Sequence, residues 1–151
     1  MLPSTTERVP RHTPEHLNER IRRQTEENVA RYTGASPEAI ERRLEELDRE
    51  WDIERTLEAN AALVSLAGLT LGATVSPKLF VLPALVSGFL LQHAVQGWCP
   101  PVPLFRRLGF RTQAEIDEEK YALKALRGDF KDVSREATGA SPQRALQAVR
   151  A

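Results

Sequence analysis

Two long runs without a charged side chain lie side by side in the middle of this chain, and only Lys78 separates them. The first is Ala59 to Pro77 and the second Leu79 to Phe105. A helix rises about 1.5 Å per residue and a bilayer core is about 30 Å thick, so a span needs roughly 17–25 apolar residues. Both runs reach that length. They predict a helical hairpin in a membrane, with polar helical arms at either end.

The chain's zero net charge hides this partition. Residues 1–58 carry ten Arg and fourteen acidic side chains, and residues 106–151 carry ten basic and seven acidic ones. Residues 59–105 carry Lys78 alone. A soluble domain spreads its charges over every element, so the gap is informative. No strongly basic face is present, which argues against a nucleic-acid partner. The single cysteine, Cys99, excludes an internal disulfide framework and a zinc ribbon. The first thirty residues hold no apolar core of a signal peptide.

Insertion energies rank the two spans. Leu63, Val64, Leu66, Leu69, Leu71 and Val75 give span one roughly −2 to −4 kcal/mol. Asn60, Ser65, Thr70 and Thr74 count against it. Ten large apolar residues from Leu79 to Val95 give span two roughly −3 to −6 kcal/mol, less the cost of Gln92 and His93. Span one therefore gains from inserting together with span two. Gly68 and Gly72 form a G-x-x-x-G, and Ala61 and Ser65, also four apart, continue this ridge of small residues, which lets two helix backbones approach closely. Small residues are also common in spans that pack against nothing.

The flanks predict topology. Arg42, Arg43, Arg49 and Arg55 precede span one, and Arg106, Arg107 and Arg111 follow span two. Positive residues stay on the cytoplasmic side, so both termini are expected there and the Ser76-Pro77-Lys78 turn outside. Ser76 and Pro77 suit an N-cap and first helical position, and Pro83 should kink the second helix or delay its start. Trp98 is expected at the interface, as are Arg106, Arg107 and Arg111.

The arms read as helices. One runs from Pro14 to about Tyr32, with Leu17, Ile21 and Val29 as its thin apolar face. Gly34, Ser36 and Pro37 then supply a stop, a cap and a first helical residue. Ile40, Leu44, Leu47 and Trp51 follow at steps of four, three and four, a short coiled-coil-like seam for another helix. No breaker lies between Glu38 and Thr74, which predicts one continuous helix from the arm into the membrane. Three prolines at 100, 101 and 103 predict an irregular segment with Arg106, Arg107 and Arg111 turned toward phosphate. Thr112-Gln113-Ala114-Glu115 is a capping box opening a helix with Ile116, Leu123, Leu126 and Phe130 on one side. That helix either docks on the Ile40 stripe or lies on lipid. Thr33-Gly34-Ala35-Ser36-Pro37 recurs as Thr138-Gly139-Ala140-Ser141-Pro142, a reused helix junction that opens a last short helix.

The expected architecture is all-α, in four segments. Residues 1–58 form an N-terminal arm, 59–97 a transmembrane hairpin turning at 76–78, 98–112 a Cys-Pro interfacial segment, and 113–151 a C-terminal arm.

Trp51-Asp52-Ile53-Glu54-Arg55, the two short spans, Gly97-Trp98-Cys99-Pro100 and Leu108-Gly109-Phe110-Arg111-Thr112 together resemble the YgaP-like inner-membrane domain family. The resemblance covers about residues 55–112. It implies a small bacterial inner-membrane protein of two transmembrane helices, followed by a Cys-Pro pair and a Leu-Gly-x-x-Thr segment. In some members the hairpin anchors a rhodanese. Here the N-terminal arm has neither a cysteine nor a strand pattern, so sulfurtransferase activity is not carried over.

Three readings of function stay open. The first is a non-enzymatic anchor or interaction module, bound to the bilayer and to a protein partner or a second copy. The second is a sulfur or redox relay through Cys99, the only candidate nucleophile, with Arg106 and Arg107 close in sequence. The plain alternative is that Cys99 packs at a helix end. His93, six residues earlier, is an intramembrane histidine near the end of its span. The third reading is a soluble bundle with the hairpin as core, but the arms offer too few apolar positions to enclose it. Two helices enclose no transport pathway. His12 and His16 have ligand spacing, but Pro14 between them disfavours the helix it needs. No metal site, cofactor, phosphate-binding glycine loop or nucleophile elbow is expected.

Overall fold

The computed structural model describes residues 4–131 and 142–150, and within them every regular element is helical. In chain order these are α1 (Arg8–Arg11), α2 (Glu15–Arg31), α3 (Pro37–Arg49), α4 (Ile53–Thr74), a 3₁₀ turn (Pro77–Phe80), α5 (Val81–Gln96), α6 (Val102–Leu108), α7 (Gln113–Arg127) and α8 (Pro142–Arg150). The second Thr-Gly-Ala-Ser copy, at 138–141, lies outside the described residues.

Two compact units form, each from two separate stretches of chain. Among the described residues, one joins those up to Arg22 with Trp51–Ala114, and the other joins Arg23–Glu50 with those after Ala114.

The first unit holds the hairpin. α4 and the 3₁₀-turn-plus-α5 segment are both long and apolar enough to cross a membrane. The ridge of small residues faces the returning chain. A Cβ on Gly68 would stand 2.8 Å from Pro83 Cδ, and one on Gly72 would stand 2.8 Å from the Phe80 ring. Ser65 and Ala61 on the same ridge are half-buried. Ser76 is extended but makes no side-chain capping bond, contrary to the expected N-cap. The chain instead turns through Pro77–Phe80, and α5 starts only at Val81. Pro83 therefore falls in its first turn, where a missing N–H costs nothing.

Beyond the hairpin, Val9, Ile53, Leu57, Cys99, Val102 and Phe105 form one apolar cluster, with Phe110 edge-on to Phe105 at 5.5 Å. Each buried Val, Ile, Leu or Phe of this cluster contributes about 1.5–3 kcal/mol. α6 corrects the expected irregular segment. Pro100 and Pro101 precede the helix and Pro103 lies in its first turn, a position proline tolerates.

The continuous helix from Glu38 to Thr74 is also corrected. α3 ends at Arg49, Glu50 is extended, and Asp52 opens α4 by accepting the Arg55 N–H at 2.8 Å. The Ile53 N–H donates to the Arg111 carbonyl at 2.8 Å, not back along the helix. Trp51 sits in the break and is 46% exposed, stacked under the Arg55 guanidinium at 4.3 Å. It is not part of the seam, because a helical register cannot pass through an extended residue.

In the second unit, Ile40, Leu44 and Leu47 do form a seam. It packs on Ile116 and Leu123 of α7, with Tyr32 and Ala35 against it. Ser36 caps α3 by accepting the Ala39 N–H at 3.3 Å. Glu119, fully buried, accepts from Arg43 Nε and Nη2 at 2.9 and 2.8 Å and from Asn28 Nδ2 at 3.2 Å. Asn28 continues the face of α2 that carries Leu17, Ile21 and the buried Thr25. The face that looked thin is completed by polar residues.

Candidate functional site: a buried thiol and its charged neighbours

Gly97 ends α5 in a left-handed conformation, with φ of 81°, and turns the chain so that Cys99 points inward. Pro100 and Pro101 then carry the chain into α6. Cys99 is 3% exposed. Its side chain neighbours the imidazole of His93, one turn before the end of α5. His93 is itself 4% exposed.

His93 Nε2 lies 2.7 Å from Glu54 Oε2, on the first turn of α4. A carboxylate can only accept, so the ring proton belongs on Nε2. Glu54 is held in turn by Arg8, whose Nη2 donates to Oε1 at 2.8 Å while its Nη1 donates to the Ala94 carbonyl at 2.9 Å. Arg8, Glu54, His93 and Cys99 thus form one chain of side chains. His93 Nδ1 is buried and makes no hydrogen bond of ordinary geometry, although the thiol stands beside the ring.

The thiol also lines a cavity of about 230 Å³ between α4 and α5. Leu57, Val64, Phe89 and Leu90 supply apolar walls, and Asn60 adds one amide.

The sequence-predicted residues distribute differently from expectation. Arg106 was expected at the headgroup level and is instead fully buried. Its Nε donates to Thr13 Oγ1 at 3.2 Å, Nη1 to the Phe110 carbonyl at 3.1 Å and Nη2 to Asn18 Oδ1 at 3.0 Å. Arg111 is 5% exposed, so it too is no interfacial side chain. Only Arg107 of the three is exposed, and Trp98 is half-buried. An arginine goes inside where neighbouring chain supplies acceptors for its planar fork. Here Thr13 and Asn18, some ninety residues away, do so. His12 and His16 are exposed on either side of Pro14.

No protein-family model, curated protein or solved structure matches this chain. The YgaP-like resemblance therefore rests on the short motifs alone. Glu54 and Arg8 are the functional-site residues that sequence reasoning missed. Glu54 sits in the matched Trp51–Arg55 run, but nothing local marks it as a partner of a side chain 39 residues on.

Proposed function

We propose that this chain is a bilayer-seated helical hairpin serving as an anchor and interaction module, without turnover chemistry of its own. The observation that carries the reading is the outward face of the hairpin. Leu63 and Leu66 of α4 are 76% and 66% exposed, and Leu91 of α5 is 68% exposed. The apolar windows of the two helices are only 17% and 6% buried. The core of a soluble bundle would be covered. Uncovered apolar surface of this extent, on helices of spanning length, calls for lipid or protein around it.

The YgaP-like motifs favour a bacterial inner membrane, and the arginine-rich flanks favour both termini on the cytoplasmic side. The second unit, closed around its own small core, would then be the part that meets a protein partner or a second copy.

Membrane fractionation of the expressed protein tests this. Retention in the pellet through an alkaline carbonate wash, with release by detergent, is the expected result. Recovery in the soluble fraction would overturn the anchor reading and leave an assembly of copies as the cover for the apolar face.

A further inference from the structure

The two long helices of the first unit are pinned to each other at both ends. Toward the turn, a Cβ added at Gly68 or Gly72 of α4 would stand 2.8 Å from Pro83 or from the Phe80 ring. Toward the arms, Glu54 of α4 reaches His93 of α5 at 2.7 Å. Between the pins lies the groove of about 230 Å³, walled by Leu57, Ala61 and Val64 on one side and by Val86, Phe89 and Leu90 on the other. Ala61, in the middle of the α4 wall, is too small to fill it.

The shape and polarity of the groove suit one hydrocarbon chain. Its α4 wall runs from Leu57 to Val64, about 10 Å along the helix axis. An apolar cavity of about 150 Å³ takes up benzene, so this one admits a longer aliphatic segment. A second helix, about 10–12 Å across with its side chains, is too thick to enter. Among the described residues on the wall only Asn60 carries an amide, and it lies in the half nearer the arms. It can donate to an ester carbonyl at the head of such a chain. Phe89 is both wall and surface, at 40% exposed, so the groove opens onto the outward apolar face of the hairpin. Apolar space of this kind stays dry and is costly to leave empty.

We propose that the groove between α4 and α5 is a lipid site, holding one acyl chain of a membrane phospholipid with its ester group at Asn60. The proposal rests on the bilayer reading above and names the single lipid that the fold retains. Every residue it uses lies within one compact unit.

The test counts phospholipid phosphorus per chain on the full protein purified in digitonin, whose rigid steroid tail does not compete for the groove. Ala61→Leu fills the groove, and Ala62→Leu adds the same bulk at the exposed neighbouring position. The expected result is one phospholipid fewer per chain in Ala61→Leu than in wild type or Ala62→Leu. Equal counts in folded Ala61→Leu and wild type overturn the proposal, as does an equal loss in Ala62→Leu. A changed oligomeric state in Ala61→Leu at an unchanged count means that a second copy fills the groove, and also overturns it. If Ala61→Leu does not fold, the unaltered protein decides through a phosphatidylcholine carrying a diazirine in its acyl chain. Labelling concentrated on Ala61, Val64 and Phe89 supports the site, and labelling spread evenly over Leu63, Leu66 and Leu91 overturns it. Protein that stays in the pellet through carbonate and yet shows equal counts loses the lipid site and keeps the anchor reading. Protein recovered in the soluble fraction loses the anchor reading, and the same photolabelling still decides the groove.

Discussion

Gly97 carries its left-handed backbone directly against Arg8. A Cβ placed on Gly97 would overlap the carbonyl group and Cβ of Arg8. The two residues join the C-terminus of α5 to the N-terminal segment, and Arg8 goes on to hold Glu54. The close approach therefore sets Arg8 beside the Glu54–His93 pair.

Gly97→Ala is accordingly expected to be among the most damaging single substitutions. The left-handed conformation alone costs a β-carbon roughly 1–2 kcal/mol, and the overlap with backbone adds to it. Gly88, within α5, has nothing within 4 Å of its Cβ position. Gly88→Ala should melt at or above the wild-type temperature in detergent, while Gly97→Ala melts well below. Equal melting of the two variants would contradict this geometry.

The two ridge glycines should differ from each other. At Gly68 an added methyl meets Pro83 Cδ at 2.8 Å and Leu82 Cβ at 3.2 Å, both close to the backbone and unable to swing away. At Gly72 it meets the ring of Phe80, a residue that is 45% exposed and free to turn outward. Gly68→Ala should cost about 1–3 kcal/mol, as overpacking does, and Gly72→Ala less. Thermal unfolding of the two variants in the same detergent decides the order.

Arg106 should not accept its conservative replacement. Lysine is a point charge on a flexible stem and cannot reach Thr13, Asn18 and the Phe110 carbonyl together. Each buried acceptor left bare costs about 1–3 kcal/mol. Arg106→Lys should lower the melting temperature by several degrees, whereas Arg107→Lys, at an exposed position, should leave it unchanged. A wild-type melt for Arg106→Lys would mean that the fork is not structural.

Acid should weaken the second unit in a defined window. Asp129 accepts from Arg127 Nη2 at 2.6 Å, and this bond holds its carboxyl below the usual value of 3.8, against a burial effect that raises it. A depressed carboxylate contributes its stability in full above the unfolded value and loses it as pH falls through the folded one. Asp129→Asn should therefore destabilise the protein at neutral pH, and the gap to wild type should close below about pH 4. A gap that stays constant down to about pH 2 would show that the pair does not contribute.

Much of the outline was present in local pattern. The uncharged runs mark α4 and α5, because a charge inside such a helix is costly wherever the chain folds. Ser36-Pro37 marks the start of α3, and Ile40, Leu44 and Leu47 mark its buried face, because caps and faces depend on neighbours three and four residues away. Asp52 is a legible cap as well, hidden only by the helix pattern that runs on unbroken on either side of it.

What the tertiary structure alone decided are the pairings between distant residues. The seam could have met lipid, and it meets Ile116 and Leu123. The arginines after the second long helix could have faced phosphate, and Arg106 and Arg111 are buried. Glu54 could have been one more charge on a solvated turn, and it holds His93. A charged side chain is buried only where acceptors or countercharges from elsewhere replace water. The side-chain partners of Glu54 and Arg106 lie 39 to 93 residues away along the chain, so nothing in the local sequence of either residue records them.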